Sequence, residues 1–74
     1  MTTNIKDFKS LNSEGIRLRK LGKDKEAIES FEQSLKINPN NVKALYNMGV
    51  SLNRIGRKND AITIYCLANQ LCRK

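Results

Sequence analysis

Cys66 and Cys72 are the chain's two thiols, and no histidine is present to act as a base for either. A nucleophile with neither a base nor an orienting partner is a poor start for covalent catalysis. The absence of imidazole also removes the usual neutral-pH acid–base group and His-based metal sites. Residues six apart on one helix have Cα atoms about 9 Å apart, beyond the ~7 Å that a disulfide spans. Cys66 and Cys72 therefore read as apolar filler, either buried or at an interface. No catalytic residue, cofactor or metal site is expected.

The remaining chemistry is charge. Fourteen Lys and Arg stand against seven Asp and Glu, a net charge of +7. Such a balance suits acidic partners, and it also permits salt-sensitive, sequence-independent binding of nucleic acid. Against nucleic acid, the chain has only four aromatics (Phe8, Phe31, Tyr46 and Tyr65) and no recognition motif. Glu26, Glu29 and Glu32 recur at three-residue steps. They read as a solvated helix edge that pairs with Lys23, Lys25 or Lys36.

The elements that position these groups follow from an internal repeat. A shift of 34 residues aligns 8–40 with 42–74. Lys9, Leu11, Gly15, Leu18, Gly22, Ala27 and Ile28 then meet Lys43, Leu45, Gly49, Leu52, Gly56, Ala61 and Ile62. Leu11, Gly15, Leu18 and Leu21 share one helical face, and Ala27, Ile28, Phe31 and Leu35 share another. Gly22 and Gly56 read as helix C-caps, Asp24 as an N-cap or first-turn residue, and Asn38-Pro39-Asn40-Asn41 as a breaker. The spacing predicts four helices near 7–21, 24–37, 42–55 and 58–72, with short turns that make sequential helices antiparallel.

Two copies in register resemble the tetratricopeptide repeat. The first reads Leu11-x3-Gly15-x2-Leu18-x3-Gly22-x4-Ala27-x3-Phe31-x7-Pro39. The second reads Leu45-x2-Met48-Gly49-x2-Leu52-x3-Gly56-x4-Ala61-x3-Tyr65-x2-Ala68. The resemblance implies an all-α fold: two helix-turn-helix repeats, four antiparallel helices in a short right-handed solenoid. An N-terminal arm at 1–7 would precede repeat one at 8–41 and repeat two at 42–74. Gly15, Gly49, Ala27 and Ala61 are then the sites of close helix approach, and Phe31 and Tyr65 fill the wedge between helices. Glu14 stands where the second copy has Met48, which reads as a solvated N-terminal edge. Ser34 replaces a small apolar residue, and Arg73 stands at the place of Pro39.

The resemblance also implies protein binding rather than catalysis, in a concave groove lined by the first helix of each repeat. That groove would carry Lys9, Asn12, Ser13, Ile16, Arg19 and Lys20, then Lys43, Tyr46, Asn47, Val50, Asn53 and Arg54. Five of the twelve are basic and none is acidic. The expected partner is a protein or peptide of acidic character, with Lys9, Arg19, Lys20, Lys43 and Arg54 supplying charge. Asn12, Tyr46 and Asn47 would supply hydrogen bonds and contact. Some family members clamp a terminal carboxylate with a Lys–Asn pair in repeat one, and here Asn12 and Ile16 occupy that pair.

Ile62, Ile64, Tyr65, Cys66, Leu67, Ala68, Leu71 and Cys72 wrap most of the fourth helix, and an all-round apolar helix is normally covered. Repeat arrays need about three units or a cap. The cover is expected from another chain, with self-association through Ile64, Leu67 and Leu71 and a homodimer as its simplest form. A pure oligomerisation module remains an alternative. The N-terminus lacks a signal-peptide pattern, and no apolar run approaches membrane-span length. A cytoplasmic setting with reduced thiols is expected.

Overall fold

The computed structural model describes residues 8–72. Four helices run through them: α1 (Phe8–Lys20), α2 (Asp24–Ile37), α3 (Val42–Arg54) and α4 (Lys58–Cys72). Among the described residues there is no strand. These bounds fall within a residue or so of those expected from the spacing. The expected arm at 1–7 lies outside the described residues, as does Arg73.

Both intra-repeat turns are set by glycine. Gly22 has φ +85° and Gly56 has φ +89°, the left-handed region that an L side chain enters only at a cost. The Lys23 N–H donates to Leu18 O at 2.9 Å and Gly22 N–H to Arg19 O at 2.9 Å. Arg57 N–H to Leu52 O and Gly56 N–H to Asn53 O repeat the pattern at 2.9 and 3.1 Å. These paired bonds are the Schellman closure of a helix end. Leu21 falls in this turn and is 66% exposed, which corrects its expected place on the apolar face. Asp24 is the first residue of α2. Lys23 holds the N-cap position without a side-chain bond, so the first-turn alternative for Asp24 holds. Asp24 and Glu26 lie where the positive end of the helix dipole favours carboxylates.

The turn between repeats is capped by side chains. Asn41 accepts from Ala44 N–H at 3.3 Å and donates through Nδ2 to Ser34 Oγ at 3.4 Å. One amide thus ties the start of α3 to the buried end of α2. The core comprises Ala27, Ile28, Phe31, Ala44, Met48, Leu52 and Ala61, with Ile16, Leu18, Leu35, Ile55, Ile64 and Tyr65 packed on it. A Cβ on Gly15 would sit 2.5 Å from Phe31 Cε1, and one on Gly49 would sit 2.6 Å from Tyr65 Cε1. The two glycines therefore admit the aromatic wedge of their own repeat, as the sequence pattern implies.

Cys66 and Cys72 are both exposed free thiols. Of the two expected places, buried or at an interface, burial in the domain is thereby corrected. Ala61 and Ala68 hold the buried face of α4, and the cysteines lie away from it.

Candidate peptide-binding surface

α2 packs against α1 within its repeat and against α3 across the repeat boundary, and α3 packs against α4; α1 and α3 also approach each other, whereas the α2 and α4 backbones stay further apart. The first helices of the two repeats, α1 and α3, therefore lie closer to each other than α2 and α4 do. Between α2 and α4 a cleft of about 190 Å³ opens, floored by Met48 and Leu52 and flanked by Ile28 and Ile64.

On the α1–α3 side, Lys9, Asn12, Ser13, Asn41 and Lys43 line a depression of about 280 Å³. The geometry follows from the repeat. Lys9 and Lys43 occupy the same register, near the starts of α1 and α3, and both are exposed. Asn12 lies one turn on from Lys9, and its Oδ1 is buried without a hydrogen-bond partner. Asn41 is the α3 N-cap, so the depression also borders the positive end of a helix dipole. Two lysines, a serine and Asn12 line one shallow cavity, and Asn41, whose amide is engaged by Ala44 N–H and Ser34 Oγ, closes its border. That set has the chemistry to hold a carboxylate.

The other expected groove residues are arranged differently. Arg19 and Lys20 sit at the far end of α1, about 15 Å along the helix from Lys9. Lys20 is exposed, whereas Arg19 is partly covered and its Nε is buried without an acceptor. Arg54 is engaged within the fold: its Nε lies 3.4 Å from Asp24 Oδ2, where the Asp24 side chain is only 10% exposed. Asn47 donates through Nδ2 to Lys43 O of its own helix at 2.8 Å. Tyr46 donates its hydroxyl to Asn69 Oδ1 at 2.9 Å and sets its ring 6.0 Å from that of Tyr65, at 44°. It therefore belongs to the seam between α3 and α4. The depression brings together Lys9, Asn12 and Lys43, and it adds Asn41. The breaker cluster contained Asn41, and its position just before an apolar-periodic segment is the signal that marks an N-cap.

Ile64, Leu67 and Leu71 lie on one side of α4. Ile64 lines the α2–α4 cleft and packs on the core, Leu67 is 42% exposed and Leu71 is half-buried. Among the described residues no group of three or more His, Cys, Asp or Glu could hold a metal ion. No helix among them is long and apolar enough to cross a membrane.

Comparison with known proteins agrees with this architecture. A family described as TPR repeat matches residues 15–56, more than half of the chain, and one described as Tetratricopeptide repeat matches residues 42–74. A TPR repeat-containing protein of Methanocaldococcus jannaschii is 39% identical over 46 residues, covering 62% of this chain and 8% of the relative. The chain thus spans only a small part of that relative's length. It belongs to the tetratricopeptide repeat family. Repeats of this family generally mediate protein–protein interaction and generally act as non-enzymatic scaffolds.

Proposed function

We propose that this chain is a non-enzymatic interaction module that takes an acidic peptide along the α1–α3 surface. The observation that carries the reading is the depression shared by Lys9, Asn12, Ser13, Asn41 and Lys43. An acidic side chain or a terminal carboxylate seated there meets two cations at once, beside a helix N-terminus. Lys20 extends the positive strip towards the far end of α1, and Arg54, already paired with Asp24, contributes less. The two free thiols suit a reducing compartment, so the proposed setting is the cytoplasm.

A fluorescence-anisotropy titration tests this reading. A labelled Glu-rich peptide should bind, and a matched neutral peptide should not. Raising salt should weaken the complex, because exposed charge pairs are screened. If oligonucleotides of any sequence bind more tightly than the acidic peptide and dissociate steeply with salt, the nucleic-acid alternative is correct instead.

Self-association through Ile64, Leu67 and Leu71 is the second reading, and the exposure of Leu67, one helical turn on from Ile64, favours it. Sedimentation against concentration should then show a dimer that Leu67→Lys dissociates. A monomer at every micromolar concentration tested would remove this reading.

A further inference from the structure

The donors along the α1–α3 depression outnumber what one carboxylate accepts. Lys9 comes from α1 and Lys43 from α3, and both are exposed. Among the described residues neither lysine forms an ion pair, and the exposed Ser13 hydroxyl forms no hydrogen bond. Asn12 turns Oδ1 inward, and its Nδ2 has no acceptor among the described residues. At the start of α3, Asn41 takes up the Ala44 N–H through Oδ1 and the Leu45 N–H through its carbonyl oxygen. The Val42 and Lys43 N–H groups precede the first acceptor within the helix and add backbone donors at that end. The two lysines are the charged groups that line the depression, and no Asp or Glu does.

A carboxylate offers this set two oxygens and one charge. A phosphomonoester offers three strong acceptor oxygens and about 1.5 to 2 negative charges at neutral pH. Three acceptors can engage both lysines and still take a bond from Ser13 or Asn12. The added charge acts on two cations at once. A nucleic-acid backbone is the poorer match, because each of its phosphodiesters carries a single charge.

We infer that the ligand of this depression is a phosphorylated peptide, with the dianion of a phosphoserine or phosphothreonine held between Lys9 and Lys43 and Ser13 and Asn12 donating to it. The inference rests on the acidic-peptide reading of the same surface and narrows it from any carboxylate to a phosphomonoester. It also gives the complex a pH dependence that a carboxylate complex lacks. The chain contains no histidine, the side chain whose ordinary charge change falls between about pH 5 and 8. A change of affinity inside that window therefore reports the ligand, whose second phosphate proton has a pKa of about 6. As pH falls through that value the phosphate loses its second charge, and binding weakens.

The probes are three labelled forms of one Glu-rich peptide, with a central Glu kept, replaced by phosphoserine or replaced by serine. Near neutral pH the phosphoserine form should bind about fivefold more tightly than the Glu form, roughly 1 kcal/mol, and the serine form more weakly than either. Lowering the pH from about 7.5 to about 5 should cost the phosphoserine form about three- to fourfold and the Glu form less than about twofold. Lys9→Gln with Lys43→Gln should erase the advantage of the phosphoserine form. Both lysines are exposed, and circular dichroism checks that the variant keeps its helices. Equal affinity of the phosphoserine and Glu forms, a flat pH profile, or an advantage that survives the double lysine change would overturn the inference and leave the acidic-peptide reading standing. A single-stranded oligonucleotide that binds more tightly than the phosphoserine form would overturn it in favour of a phosphodiester. Failure of all three peptides to bind would remove both readings.

Discussion

Gly15 and Gly49 occupy the same place in their repeats, yet replacing each with alanine should have different consequences. A Cβ at Gly15 would lie 2.5 Å from Phe31 Cε1 and 2.8 Å from both Cδ1 and Cζ. That is about 1 Å inside the ordinary carbon–carbon contact of roughly 3.5–4.0 Å. Phe31 is fully buried among Ala27, Ala44 and Met48, so its ring can withdraw only by disturbing the core. Overpacking of this kind costs about 1–3 kcal/mol, and replacing glycine by alanine inside a helix returns about 1 kcal/mol. Because the buried ring cannot withdraw, the upper part of that range applies, about 2–3 kcal/mol, and Gly15→Ala should destabilise the fold by about 1–2 kcal/mol. At Gly49 the built Cβ approaches Tyr65 Cε1 at 2.6 Å, but that ring is partly exposed and has solvent on one side into which to turn. The helix gain should then offset most of the clash, leaving a change within about 0.5 kcal/mol. For a domain this small, 1 kcal/mol corresponds to roughly 4–8 °C in Tm. Thermal unfolding followed by circular dichroism should show a fall of about 5–15 °C for Gly15→Ala and under about 4 °C for Gly49→Ala. Phe31→Leu placed beside Gly15→Ala should recover part of the loss, because the two changes share one contact. Equal losses at the two glycines, or a rise in Tm with Gly15→Ala, would refute the reasoning.

Two further substitutions probe the frame that holds the surface. Ser51 is fully buried and its Oγ has no hydrogen-bond partner, so Ser51→Ala removes an unsatisfied hydroxyl and improves helix propensity. Denaturant unfolding should show a gain of about 0.5–1 kcal/mol. Asn41→Ala removes the α3 N-cap and the amide that reaches Ser34. It should cost about 1–2 kcal/mol in the same assay, and it should also weaken acidic-peptide binding, because Asn41 borders the depression.

The helices were legible in the sequence because their signals are local and doubled. Gly22 and Gly56, Gly15 and Gly49, and Phe31 and Tyr65 each appear twice at one spacing, and each performs the same backbone or packing task in both copies. The site was legible only in part, because groove membership by spacing says which face a residue occupies but not what else claims its side chain. Arg54 met Asp24 across the repeat boundary, a contact between residues thirty apart that no helical period encodes. Tyr46 was drawn to Asn69 and Tyr65 on α4 for the same reason. Cys66 and Cys72 looked like apolar filler by residue type. The face of α4 that packs is set by Ala61 and Ala68, whose small size permits close approach, and both thiols fall outside it.

The central claim is that Lys9 and Lys43, and not Arg54, provide the charge that seats an acidic peptide. Titration calorimetry with one Glu-rich peptide against three proteins tests it directly: the unchanged chain, Lys9→Glu with Lys43→Glu, and Arg54→Glu. The account predicts that the double reversal abolishes measurable binding, while Arg54→Glu lowers affinity by less than about fivefold, or roughly 1 kcal/mol, with the helical spectrum kept in both. Unchanged affinity in the double reversal, or a larger loss from Arg54→Glu, would contradict it.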